Sequence, residues 1–236
     1  IRKDGRHPII MMQCGPLRVR LSPRMALRGS FEHVVTPRAT RFQLPGDAAD
    51  ATIQQIYGML AADPDRNAMI IADVIQAVRA GRSPLVLTER TAHLKELVEG
   101  LKGHVANIVV LRGGRTDRQR QQIAATLAAV PDSEERVIVA TGRYAGEGFD
   151  DARLDTLFLA LPISWKGTLQ QYAGRLHRSY EGKRVVQVYD YVDANVPVLG
   201  RMYGRRLRGY KAMGYVVTGD TDDARSTMPL EGDCLF

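Results

Sequence analysis

From residue 84 onward the chain alternates short apolar runs with amphipathic stretches, and this rhythm limits its fold more than any other feature. "PLVLT" is the first apolar run. The segment after it carries Leu94, Leu97, Val98 and Leu101 at i, i+3, i+4 and i+7, the spacing of a helix with one buried face. "ANIVVL" is the second run. "GGRTDRQRQQIAATLAAV" comes next, with Thr116 and Gln119 at capping-box spacing and Ile123, Leu127 and Val130 offered to a core. "RVIVA" (136–140), "DTLFLA" (155–160) and "RVVQVYDYV" (184–192) supply three more strands. Strands that are apolar almost throughout are buried on both faces, and helices between them are the crossovers a parallel sheet requires. The expectation is an α/β domain with a mainly parallel sheet in the middle layer of three.

The flanks read differently. Residues 1–46 hold the strand-like runs "IIMMQCGPLRVRL" and "FEHVVTP", broken by Pro8, Gly15, Pro16, Pro23, Pro37 and Pro45, as in an extended arm or small sheet. At about residue 50, "ATIQQIYGMLAA" and "PDRNAMIIADVIQAVRAG" turn to helical spacing, with Pro64 suited to a first turn and Gly81 to a stop. Beyond residue 195, "VPVLGRMYGRRLRGYKAMGY" predicts a last helix. It bears Arg201, Arg205, Arg206, Arg208 and Lys211 interleaved with Tyr203 and Tyr210. That pattern fits a nucleic-acid track, and equally an amphipathic helix packed on the domain with its arginines in water. The organisation expected is an arm or linker over 1–48, a core domain over 49–192, and an extension over 193–236 with a basic helix and a loose tail.

Composition bounds the partners. The 236 residues are 44% hydrophobic and 25% charged, an ordinary globular balance, and the net charge of +7 suits a polyanion but also plain solubility. Cys14 and Cys234 are far apart with no histidine at ligand spacing, which argues against a disulfide framework and against a zinc site. A reducing, cytoplasmic setting fits. No apolar run approaches the ~20 residues of a membrane helix, and the first residues lack a signal-peptide pattern. Neither a membrane partner nor a bound metal is expected.

Ligands of open parallel sheets sit beyond the carboxyl ends of the strands, and here those ends are polar. Thr88, Glu89 and Arg90 come after the first strand; Arg112, Gly113, Gly114 and Arg115 come after the second. The third leads into "TGRYAGEGFDD" and the fourth into "PISWKGTLQQYAGRLHR". Thr168 and Gln171 have capping-box spacing, so Gln171, Arg175 and Arg178 should share one face of a helix. Two arginines a turn apart make a fork for phosphate oxygens, and Gly174 permits close approach; the plainer alternative is a solvated basic face with Gly174 as a packing contact. The glycines 142, 146 and 148, with Asp150, could turn amides toward a phosphate and a carboxylate toward a ribose, or could form only a turn. No G-x-x-x-x-G-K-[ST] segment and no acidic pair of the magnesium-holding kind accompanies these arginines, so the phosphate cradle would have to come from another domain.

Taken in order, these segments resemble the second RecA-like domain of superfamily 2 helicases and translocases. "LVLTERTAHLKEL" is similar to motif IV, "VVLRGGRTDRQRQQI" to motif IVa, "VIVATGRYAGEGFDDARLDTLFLA" to motif V, and "QQYAGRLHR" to the Gln-x-x-Gly-Arg-x-x-Arg of motif VI. The resemblance spans roughly residues 84–192, and "EGFD" leans toward the restriction-enzyme and DNA-repair branch, hence toward DNA. The stretch from Thr141 to Asp150 is one residue longer than the commonest motif V, and Asp117 stands where many relatives have glutamine.

The resemblance implies a three-layer RecA-like, P-loop NTPase-type fold. It implies that Arg175 and Arg178 are arginine fingers toward an ATP, with its Mg2+, held mainly by a first RecA-like domain of the same polypeptide. Gly148, Asp150 and Gln171 would line that nucleotide cleft. Thr88, Arg112, Gly114, Arg120 and Thr141 would contact the nucleic-acid backbone. "RKDGRHP" resembles the segment directly after the last box of such a first domain, so the chain is expected to begin just past that domain, and to be inactive as an ATPase alone. The rival readings are a double-stranded DNA translocase of a restriction or defence system, a noncatalytic nucleic-acid-binding module, and a small-molecule α/β enzyme, for which no nucleophile, base and orienting group assemble.

Overall fold

A computed structural model describes residues 31–48, 50–111, 117–142, 151–163 and 168–218; side chains at 47, 117–120, 122, 124 and 168–171 are outside the description. Strand β1 (Glu32–Ala39) leads to helices α1 (Ile53–Ala62) and α2 (Pro64–Arg79). Then β2 (Pro84–Thr88), α3 (Thr91–Leu101), β3 (Asn107–Leu111), α4 (Asp117–Ala129) and β4 (Arg136–Thr141) alternate. After them come β5 (Thr156–Leu159), α5 (Thr168–Leu176), β6 (Val185–Val192), α6 (Pro197–Met213) and the short β7 (Val216–Val217). The five strands expected between residues 84 and 192 all form.

Local chemistry explains the boundaries. Thr52 and Gln55 form a capping box at the start of α1, with Thr52 N donating to Gln55 Oε1 at 2.8 Å and Gln55 N to Thr52 Oγ1 at 3.4 Å. The Asp63 carboxylate accepts from Arg66 N at 2.7 Å, and Pro64 occupies the first turn of α2, where its missing N–H costs nothing. Gly81, at φ +76°, and Gly214, at φ +88°, take the left-handed conformation that turns the chain out of α2 and α6.

The described strands form one sheet in the order β3-β4-β2-β5-β6-β1-β7, and every pairing is parallel. Alternation sends Leu85, Leu87, Leu157, Leu159, Val186 and Val188 into a core shared with α4, α5 and α6. Val86, Val137, Val139 and Phe158 face the opposite way, against α2 and α3. A third cluster joins Phe42, Ile56, Leu60, Leu161, Val196 and Leu199, so α1 packs over the ends of β5 and β6. This is the three-layer α/β arrangement that the rhythm predicts.

The run "FEHVVTP" is a strand of that same sheet. β1 pairs with β6 from Glu32↔Val185 to Ala39↔Val192, and with β7 only at Val34 and Val35. Glu32 N donates to Arg184 O and Thr40 N to Val192 O, so even-numbered amides face β6. Pro37 therefore turns its nitrogen the other way, past the end of β7, and among the described residues no ladder bond is lost.

Helix α6 is fastened to the sheet by a buried ion pair. Arg206 and Asp190 are each 1% exposed, and the guanidinium donates to both carboxylate oxygens at 2.8 and 2.9 Å, with Tyr210 Oη donating at 3.0 Å. Of the two readings of this helix, the packed amphipathic one describes its inner side, where Tyr203, Tyr210 and also Arg206 are buried and face the sheet. Among the described residues no helix is long and apolar enough to cross a membrane. Removing one partner leaves a buried charge, so Arg206→Leu should cost about 3–5 kcal/mol in urea unfolding, while Arg206→Leu combined with Asp190→Leu should recover part of it.

Candidate functional site at the strand ends

The carboxyl ends of β2 and β4 lie side by side, with Thr88 opposite Thr141. Glu89 and Gly142 come next in the chain, and α5 crosses over them. Tyr172, 3% exposed, donates its hydroxyl to the carbonyl of Gly142. A methyl group built on Gly142 would overlap the Glu89 carboxylate and lie 2.8 Å from Tyr172 Oη, so any larger residue here would push these two side chains from their places. Burial raises the pKa of Glu89, and burial together with the Glu89 carboxylate pushes the Tyr172 phenol up to about 12, against the opposing effect of Arg175. Glu89, Gly142, Tyr172 and Arg175 thus gather at one end of the sheet.

The far end of α5 is held as firmly. Lys183 Nζ donates to the carbonyls of Ala152, Leu176 and Arg178 at 2.7, 2.9 and 2.9 Å, which satisfies a helix end whose last carbonyls have no partner of their own. Burial lowers this ammonium to about 8, against Asp155 and Asp151. His177 Nε2 lies 3.0 Å from Tyr215 Oη, and its ring meets His33 of β1 edge-on at 4.7 Å. Burial, then His33 and Lys183, lower His177 to about 4.

The arginine pair departs from the helical expectation. Arg175 is half-buried on α5, but the helix ends at Leu176, where His177 N turns back to Gly174 O at 3.3 Å, and Arg178 projects from the turn beyond, exposed. The two arginines, with Gln171, therefore do not share one continuous helical face. Among the described residues nothing lies within 4 Å of a Cβ built on Gly174, so the close-packing alternative for this glycine finds no partner there and open space stands beside Arg175.

Thr88 is 2% exposed and looks inward. Asn67 Nδ2 donates to Ala61 O at 2.9 Å, so Asn67 Oδ1 accepts from His93 Nε2 at 2.9 Å, and His93 Nδ1 accepts from the Thr88 hydroxyl, also at 2.9 Å. Burial and the Arg66 charge lower His93 to about 3, so it is neutral. Thr141 is half-buried at the end of β4. For Arg120 and Gln171 the helical backbone alone is described, and Arg112, Gly114, Gly148 and Asp150 lie outside the described residues. Sequence reasoning assigned no role to Tyr172 or Glu89, although Tyr172 stands inside "QYAGRLHR" and Glu89 comes directly after a strand. Nothing in the sequence signals the His93 relay.

Likeness to known proteins agrees with this geometry at the level of the fold. No family model matches the chain. Solved structures do: T4 UvsW superposes with a TM-score of 0.62 at 20% identity, over 78% of this chain and 40% of that one. S. cerevisiae Dbp5 bound to RNA and ADP BeF3 gives 0.58 at 12%, over 96% and 51%. The fold is RecA-like. The E. coli DEAD-box protein SrmB, bound to the regulator RraA, gives 0.52 at 16%, over 87% of this chain and 100% of that one. By sequence, the chain is 23% identical over 147 residues to transcript termination protein A18 of fowlpox virus (strain NVSL), covering 61% of this chain and 31% of the relative. The vaccinia virus (strain Ankara) A18 protein is 25% identical over 125 residues, covering 52% and 25%. The matched regions are about a third or less of these relatives' lengths.

Two outcomes are expected. Tyr172→Phe removes the hydrogen bond to the buried Gly142 carbonyl and should lower unfolding stability by about 1 kcal/mol, with a cooperative transition retained. His93 titrates near 3 when folded and near 6.5 otherwise. In that window the unfolded chain takes up the proton and the folded one does not, so stability is full above 6.5 and falls as pH drops. Between pH 7.5 and 5 the loss should be about 2 kcal/mol greater in the wild type than in His93→Gln, read from urea unfolding at each pH.

Proposed function

We propose that this chain is the C-terminal motor domain of an ATP-dependent nucleic-acid helicase, acting on DNA. Arg175 and Arg178 serve as arginine fingers toward an ATP and Mg2+ held by a first RecA-like domain. What carries the reading is the union of the Gln-x-x-Gly-Arg-x-x-Arg segment with a RecA-like fold in which that segment makes up the second half of a short helix fastened over the strand ends and the turn directly after it. Gln171, Gly148 and Asp150 line the same cleft, and Thr141, Arg120, Arg112 and Gly114 meet the backbone of the bound strand. Thr88, with its hydroxyl committed to His93, supports the rim from below. The "EGFD" wording favours DNA, whereas the Dbp5 structure carries RNA, so substrate choice belongs to the test.

In this reading the nucleotide supplies the transferred phosphoryl, and the work of this chain is electrostatic and positional. A guanidinium stays charged at any physiological pH and matches phosphate oxygens bidentately, so two of them steady the charge that develops during transfer. Tyr172 and Lys183 fix the helix that bears Arg175, and the turn bearing Arg178 is fixed by the same lysine. Closure and reopening of the cleft then move the strand contacts at β2 and β4 relative to the other domain.

In the full-length protein, Arg178→Ala and Arg175→Ala should each lower DNA-stimulated ATP hydrolysis by about 10³-fold or more, with unchanged thermal melting. Retention of more than a tenth of the wild-type rate by both variants would overturn the assignment. The 236-residue chain by itself should hydrolyse essentially no ATP.

A further inference from the structure

Helix α6 has two sharply different faces. Leu199, Tyr203, Arg206, Tyr210 and Met213 are buried, while Arg201, Arg205, Arg208 and Lys211 are exposed. At 3.6 residues per turn, these four cations fall within an arc of roughly 120° opposite the buried side. The helix contains no acidic residue, and none of the four is in an ion pair or side-chain hydrogen bond among the described residues. A solvated helix gains support from interspersed charges of both signs; this face carries one sign only.

Gly204 lies on the same outward side, between Arg201 and Arg208. Glycine weakens a helix interior, and a Cβ built here would have no heavy atom within 4 Å among the described residues. Among the described residues neither packing nor a turn accounts for it. A missing side chain among four cations leaves a shallow dip through which a rigid polyanion can reach the helix.

We propose that the outward face of α6 is a docking surface for the phosphate backbone of duplex nucleic acid. From residue 201 to 211 the helix rises roughly 15 Å, and one strand of a duplex carries a phosphate every ~3.4 Å along its axis, so the length of duplex beside the helix holds about four phosphates per strand for four cations. Three of the four are arginines, suited to bidentate phosphate contact. A helix holds its side chains at fixed intervals, and a duplex holds its phosphates likewise, so neither backbone has to be ordered on binding and the ordering cost falls on the four side chains alone. The proposal deepens the reading that this chain acts on nucleic acid, and it does not use the arginine pair of α5.

The test titrates a fluorescent 16-base-pair DNA duplex with the 236-residue chain from 50 to 200 mM salt. The variant combines Arg201→Gln, Arg205→Gln, Arg208→Gln and Lys211→Gln, all at exposed positions, and thermal melting checks its fold. The slope of log affinity against log salt should become shallower by about 3 to 4, and affinity at 100 mM should fall at least about tenfold. Gly204→Gln should weaken binding in the same direction without changing the slope. Unchanged affinity and slope in the fourfold variant overturn the proposal, as does absence of wild-type binding at 50 mM. Loss of binding only to single strands, or only to phosphatidylserine vesicles, with duplex binding intact, also overturns it. Arg120→Ala with Thr141→Ala reports separately on the strand-end contacts. If those contacts are wrongly assigned, this variant matches the wild type while the α6 variant still loses the duplex.

Discussion

Two aspartates at the end of β6 tie the layers of this domain together. A carboxylate out of reach of water is costly unless a cation and further hydrogen bonds meet it, and each aspartate is met from a different side. Asp190 takes Arg206 and Tyr210 from α6. Asp193 takes Arg66 from α2 at 3.0 Å and the Thr40 hydroxyl just after β1 at 2.5 Å. Arg66 also donates to Ala160 O beyond β5 at 2.5 Å, and its guanidinium lies over the Tyr191 ring at 5.6 Å. Strand β6 is therefore the point at which helices from both faces, and the neighbouring strands, are held in one relation.

That relation decides what can sit at the strand ends. With α2 and α6 fixed, α1 covers the ends of β5 and β6 through Ile56, Leu60, Leu161 and Leu199. The ends of β2 and β4 are left to α5. A helix of nine residues is marginal alone, so its orientation comes from its attachments: Tyr172 to the end of β4, Lys183 to its last carbonyls, and His177 to Tyr215. The direction in which Arg175 and Arg178 project is a property of that scaffold.

How much of this was legible in sequence depends on where each signal resides. Strands β2 to β6 were legible because two-sided burial makes a parallel strand apolar along its whole length, and α3 because Leu94, Leu97 and Leu101 repeat at helical spacing. "FEHVVTP" was legible as a strand but not as a member of the main sheet, since its partner lies some 150 residues away and pairing in register leaves no local mark. The proline that interrupts its pattern is tolerated because of which edge its nitrogen faces. Arg206 was indistinguishable from Arg205 and Arg208 in a row of basic residues; burial against a carboxylate from another element separates them.

By itself, then, the sequence determined the periodicities, the strand and helix alternation and the order of the motif-like segments, because those depend on residues close along the chain. The tertiary structure alone decided that α5 stops before Arg178, that Thr88 spends its hydroxyl on His93, that Glu89 and Tyr172 close around Gly142, and that Arg206 alone of the α6 arginines turns inward to a carboxylate. Each of these depends on side chains brought together from distant segments, where burial and pairing, not local pattern, set the outcome.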